Sequence, residues 1–236
     1  IVFASIRAMQ EAKADLILFV DDDNILNPDY IEKGLAKAKE WPIIGAWGGQ
    51  LLARFECEPP EWTKQFWDSL AIRELKRDLW SNLIYQYEST PPSAGMFLRR
   101  PVFMRYLDDV KVNPKKLFFG SWNGDFCIRC EDSDMAFTAC DIGLGTARFK
   151  ELILTHIMPK ERLEEKYLLK FMENMFYSSK LFELSRGKAL ACIKKPAFSR
   201  LREKISVWRV SRTNRIFCLA ERRGYARACK ETNKVI

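Results

Sequence analysis

One histidine and seven scattered cysteines among 236 residues leave little room for several kinds of site. A structural zinc centre needs four ligands, usually drawn from close Cys or His pairs. Cys127-x-x-Cys130 has no second Cys-x-x-Cys to join it and His156 stands alone, so zinc and dithiol redox chemistry are disfavoured. An odd, dispersed cysteine set is equally unlike the framework of a small secreted domain. No apolar run approaches the ~20 residues of a membrane span. No signal peptide, internal repeat or low-complexity tract is visible, and the first residue is Ile. The expectation is an intracellular protein, or a fragment whose targeting segment lies upstream.

What is present is the composition of a folded chain: 47% hydrophobic and 13% aromatic residues, enough to build one core with a helical annex. The net charge of +8 is unevenly placed, because residues 185–236 hold fifteen Lys or Arg against three Glu. This basic tail, with Trp208, Ile216, Phe217 and Leu219 interleaved, suits peripheral contact with an anionic membrane surface. No nucleic-acid-binding module is recognisable, so nucleic acid is not an expected partner. A cytoplasmic location on the inner face of the membrane follows from these readings.

The chain is organised around Leu16-Ile17-Leu18-Phe19-Val20 followed by Asp21-Asp22-Asp23-Asn24. The apolar run reads as a strand buried on both faces at the centre of a parallel sheet. Its acidic end is where open α/β sheets bind ligands. Neighbouring carboxylates repel by about 4 kcal/mol at an effective dielectric near 20, so a cationic partner is implied. Hard oxygen ligands suit manganese or magnesium bound together with substrate phosphates. By itself the triplet is equally compatible with a solvated acidic turn.

Around this motif the spacing predicts helix over 1–13, a helix started by Asn27-Pro28-Asp29 and ending near Glu40, and a glycine-marked strand over 43–52. Trp62, Phe66, Leu70, Leu75, Leu79, Leu83 and Tyr87 recur about every four residues and predict one or two amphipathic helices. A short strand over 93–98 precedes a helix from Pro101, and residues 113–125 form a loop. Glu131-Asp132-Ser133-Asp134 opens a helix running through Cys140, an acidic first turn that the macrodipole alone would favour. Leu152 to His156 is a further strand, and helix dominates from Glu161 onward.

Three segments in this order resemble family 2 of the inverting nucleotide-sugar glycosyltransferases: Glu-Ala-Lys-x-Asp-Leu-Ile-Leu-Phe-Val-Asp-Asp-Asp-Asn at 11–24, Ser-Ala-Gly-Met-Phe-Leu-Arg-Arg at 93–100, and Glu-Asp-Ser-Asp-Met-Ala at 131–136. Leu-Thr-His-Ile-Met-Pro-Lys-Glu-Arg-Leu at 154–163 looks like the family's closing metal-site histidine and the segment after it. The resemblance implies an α/β GT-A fold with a mostly parallel sheet flanked by helices. It implies residues 1–160 as the transferase domain and 161–236 as a basic helical extension. It further implies a divalent cation, manganese or magnesium, on Asp23 and His156, with Asp21 and Asp22 near the ribose and diphosphate. Asp132 would be the catalytic base, Glu131 would orient the acceptor, Gly95 and Met96 would line the acceptor side, and Arg162 would belong to the donor and acceptor site. Partners would be a nucleotide-sugar donor and a glycan or lipid-linked acceptor.

The sequence departs from that pattern. The family's opening strand, helix and strand, which bind the nucleobase, are not seen, Ala4-Ser5-Ile6 stands where Ala-Arg-Asn is common, and Cys130 stands where a glycine often precedes Glu-Asp. The alternative is a catalytically degenerate member that binds a membrane or a partner. A haloacid-dehalogenase-like phosphatase would need Thr or Val where Ile25 stands and a later acid where Arg129 stands, and a calcium loop would need glycine at Leu26.

Overall fold

The computed structural model describes residues 2–123, 126–189 and 212–236, which fall into two compact units. The first comprises Ile1–Pro114 and Glu131–Leu163, the second Lys115–Cys130 and Glu164–Ile236.

The first unit is an α/β layer. Helix α1 (Val2–Glu11) leads into β1 (Leu16–Phe19), and a turn through the acidic motif gives β2 (Asn24–Leu26). Helix α2 (Tyr30–Glu40) and the long strand β3 (Ile44–Phe55) follow, then β4 (Leu79–Ser81), β5 (Met96–Arg99) and α3 (Arg100–Val112). After the excursion into the second unit come α4 (Glu131–Asp141) and β8 (Gly145–Met158). The sheet order is β1-β5-β3-β8-β2, with β4 also paired to β8. Its interior is aromatic: Phe97 stacks on Tyr30 and Trp47 with centroids 5.9 and 5.3 Å apart.

Several expectations hold. Val2 and Met9 are the buried face of α1, α2 ends at Glu40, and β3 and α4 lie where spacing put them. Others are corrected. The sheet is mixed rather than mostly parallel: β3–β8 is the one parallel pair among the described strands, and its other pairs are antiparallel. Apolar patterning reports burial and carries no strand direction, so this was invisible in the sequence. Nor is β1 central. It ends the sheet, paired on one side to β5, and all four of its residues are only half-buried.

The segment predicted as amphipathic helix over 62–87 is instead a 3-10 turn at Glu61–Phe66, irregular chain and β4. Leu70 and Leu75 are buried as expected, but Ala71 adopts φ 58° and Arg73 pairs with the backbone of Leu51 as an antiparallel bridge. The four-residue recurrence therefore marks where this segment lies down on the sheet and not a helical face.

In the second unit a short hairpin, β6 (Trp122–Asn123) with β7 (Phe126–Cys127), accompanies α5 (Glu165–Ser185) and α6 (Arg212–Lys230). Phe217, Ala220 and Ala228 form the buried stripe of α6. A Cβ on Gly224 would lie 2.1 Å from the Glu173 carbonyl oxygen, so the two helices meet there at backbone contact. Arg223 pairs with Glu173 at 2.7 Å, and the Tyr177 hydroxyl donates to Glu231 at 2.6 Å beneath the Arg227 guanidinium. Cys229 is disulfide-bonded, a pairing not foreseen from the dispersed cysteines. Of the basic segment, residues 190–211, Trp208 among them, lie outside the described residues. No helix among the described residues is long and apolar enough to cross a membrane.

Candidate active site

The site is assembled by strand pairing within the first unit. The Asn24 amide donates to the Asp21 carbonyl at 3.1 Å, closing a turn that reverses the chain from β1 into β2. Because β2 runs antiparallel to β8, Asn24 stands opposite His156, and the Ile157 amide donates to the Asp23 carbonyl at 2.8 Å. Residues more than a hundred positions apart are thus fixed side by side by backbone bonds.

The chain then turns at Pro159 into a 3-10 turn, Lys160–Leu163, anchored by buried Leu163. That turn sends Arg162 back to the acidic motif. Arg162 Nη2 lies 2.9 Å from Asp23 Oδ2, and Arg162 Nη1 lies 3.2 Å from His156 Nε2. Asp23 Oδ2 and His156 Nε2 are themselves 3.5 Å apart. Asn24 Nδ2 donates to the other oxygen of Asp23 at 3.1 Å.

His156 is 7% exposed. Burial holds its imidazole below the ordinary range, Asp23 pulls it up, and Arg162 pushes it down again. A guanidinium can only donate, so Nε2 accepts from Arg162 and the proton of the neutral ring sits on Nδ1. That Nδ1 and the Asn24 Oδ1 atom are buried without a hydrogen-bond partner.

Asp21 faces the other neighbour of the motif. The β1–β5 pairing sets Phe19 against Met96, and the Ser93 hydroxyl donates to Asp21 Oδ2 at 3.4 Å. Although Asp21 opens to solvent, surrounding protein strips part of its hydration and pushes its carboxyl up. Asp23, Asp132 and Asp22 push the same way, against the Ser93 hydrogen bond. The Asp132 contribution places the first turn of α4 within electrostatic reach of the motif. Asp132 Oδ1 also accepts from the Ser133 amide at 2.7 Å. Glu131 and Asp132 are half-buried, whereas Asp134 is 2% exposed and belongs to the interior.

The expected residues therefore divide into two groups. Asp21, Asp23, His156 and Arg162 are linked by hydrogen bonds or charge, Asp132 reaches them electrostatically, and Asp22 and Glu131 are their chain neighbours. Gly95 and Met96 are buried, with Met96 fully enclosed in β5. Sequence reasoning gave Ser93 and Asn24 no part, although both bond directly to the motif's carboxylates. The small-residue run into β5 was the one available signal for Ser93.

Residues 4–107 match the sequence model described as Glycosyl transferase family 2. This segment belongs to glycosyltransferase family 2. That family implies a GT-A fold acting on a nucleotide-sugar donor and an acceptor, so the acidic motif, Gly95 and Met96 lie within a glycosyltransferase segment. Glu131, Asp132, His156 and Arg162 lie beyond the match and are joined to it by the geometry above. No curated protein matches the chain.

Proposed function

We propose that this glycosyltransferase moves a sugar from its nucleotide donor to a glycan or lipid-linked acceptor with inversion, with a divalent cation, in polysaccharide or glycoconjugate assembly. The observation that carries this reading is the convergence of two carboxylate sets: Asp132, at the start of α4, lies close enough to Asp21, at the end of β1, to raise its pKa. Inversion by single displacement needs a base on one side of the reacting carbon and diphosphate stabilisation on the other.

In this reading Asp132 takes the proton from the acceptor hydroxyl as it attacks, its carboxylate oriented by the Ser133 amide that donates to Oδ1. Glu131 orients the acceptor, while Asp21 and Asp22 face the ribose and diphosphate. The donor set suits manganese or magnesium: one carboxylate oxygen of Asp23 and the Nε2 lone pair of a neutral His156, beside the orphaned Asn24 Oδ1. Among the described residues no group of three or more His, Cys, Asp or Glu could enclose an ion, so two protein ligands leave the other positions to phosphate and water. When bound, such an ion supplies Lewis-acid neutralisation of the departing diphosphate.

The charge of residues 185–236 supports contact with an anionic membrane. Phe217 and Ala220 are buried in the second unit and take no part in that contact, whereas Leu219 on α6 is exposed. Calorimetric titration with UDP and with GDP, each with manganese, tests the site. Metal-dependent nucleotide binding that disappears in Asp23→Ala is expected, and nucleotide binding indifferent to both manganese and Asp23 would overturn the metal assignment.

A further inference from the structure

Arg162 sits where a cation between Asp23 and His156 would sit. Its two terminal nitrogens span the pair, 2.9 Å from Asp23 Oδ2 and 3.2 Å from His156 Nε2, engaging the carboxylate oxygen and the ring lone pair that a metal ion would need. The residue is held there by its backbone, since the Arg162 amide donates to Pro159 within the 3-10 turn and Leu163 is buried beside it. Its side chain is still 34% exposed, so the guanidinium has an open route away from the pair.

We propose that Arg162 is an internal cation that occupies the Asp23–His156 pair until a diphosphate arrives and then gives it up, making divalent-metal binding conditional on donor binding. The proposal rests on the metal reading given above and adds its regulation. A planar guanidinium binds phosphate oxygens in the same two-pronged way that it binds a carboxylate. An arriving diphosphate therefore offers Arg162 a replacement partner while offering the metal its missing oxygen ligands. With the donor absent, the guanidinium neutralises Asp23 and fills the Nε2 lone pair, so a metal ion must displace a charge-assisted contact without compensation. The order that this favours is nucleotide and metal together over metal first. Arg162 is in this sense a positioning residue: it acts on the reaction through Asp23, His156 and the diphosphate.

The test is Mn2+ binding followed by electron paramagnetic resonance, with no turnover involved. It uses the full chain, its Arg162→Gln and Arg162→Lys variants, and Asp23→Ala as the control. With Mn2+ alone, Arg162→Gln is expected to bind about tenfold or more tightly than the unmodified protein, the size of a lost charge-assisted hydrogen bond. Arg162→Lys, with one nitrogen in place of two, falls between them. Addition of UDP or GDP tightens Mn2+ binding strongly in the unmodified protein and much less in Arg162→Gln. Thermal melts confirm that each variant is folded. If the unmodified protein binds Mn2+ through Asp23 and Arg162→Gln binds it no more tightly, the gating role is overturned and the metal site stands. If no folded form binds Mn2+ at millimolar concentration with either nucleotide, the metal reading itself falls and the gate falls with it.

Discussion

The Tyr30 hydroxyl donates a 2.6 Å hydrogen bond to the Gly95 carbonyl, tying the first turn of α2 to the chain as it enters β5. Both ends of the acidic motif's surroundings are fixed by this contact, because Gly95 also donates its amide to Phe19, the last residue of β1. Gly95 has φ +77°, and a Cβ there would lie 2.4 Å from the Tyr30 oxygen and 2.5 Å from Leu154. Gly95→Ala combines an unfavourable backbone with overpacking and should cost about 2–4 kcal/mol. Tyr30→Phe leaves a buried carbonyl unpaired and should cost about 1–2 kcal/mol. Urea denaturation measures both.

Asp21 is expected to destabilise the fold when ionised. Its folded pKa is raised above the ordinary aspartate value by desolvation and by Asp23, Asp132 and Asp22. Over the interval between its unfolded and folded values the native state holds the extra proton, so stability falls as pH rises through that interval. Asp21→Asn should therefore melt at a higher temperature than the unmodified protein at pH 7. The advantage should vanish below about pH 4, where the carboxyl is protonated in both states. Paired thermal melts across that range check the sign.

How far the site could be read in advance depends on what kind of information each feature carries. The acidic motif, the helix beginning at Glu131 and a strand carrying His156 are local patterns of burial and charge, and all three are present, although that strand runs from Gly145 to Met158 and does not stop at His156. That β1 is an edge strand is a fact about its neighbours, and a run of Leu, Ile, Leu and Phe looks the same at an edge as in the middle. The segment from Trp62 to Tyr87 misled for a related reason: apolar residues four apart fit a helix, yet Ala71 in the left-handed region and the Leu51–Arg73 bridge bend it across the sheet. The contact of Arg162 with Asp23 and His156 depends on the antiparallel register of β2 on β8 and on the turn after Pro159. Neither is encoded in the spacing of the three residues.

Asp132→Asn separates chemistry from binding. Loss of a general base typically costs 10²- to 10⁴-fold in rate, and that loss is expected in kcat with nucleotide and manganese affinity unchanged. A second readout does not need a substrate. Removing the Asp132 charge removes one of the pressures on Asp21, so the Asp21 carboxyl should titrate at a lower pH in the variant, as followed by carboxyl carbon NMR. A variant that leaves kcat intact would remove Asp132 from the base role even if Asp21 shifts.

The second unit has its own polar lock. Tyr177 on α5 donates to Glu231 just beyond α6, and Arg227 lies 3.9 Å from the Tyr177 ring centroid. Burial pushes the Glu231 carboxyl up, but hydrogen bonds from Lys234 and Tyr177, with the charges of Lys234 and Arg227, outweigh it and hold the carboxyl below the ordinary range. A depressed carboxyl contributes its full stability above the unfolded pKa and loses it as pH falls through the folded value. Tyr177→Phe removes one of those hydrogen bonds and should cost about 1–2 kcal/mol near neutral pH. The gap between the two proteins should narrow as pH drops below about 4, because protonated Glu231 has less to lose. Urea denaturation at neutral and acid pH, read by a probe in α5 or α6, would show that narrowing. A gap that stays constant with pH would mean that what the hydroxyl contributes does not depend on the charge of Glu231.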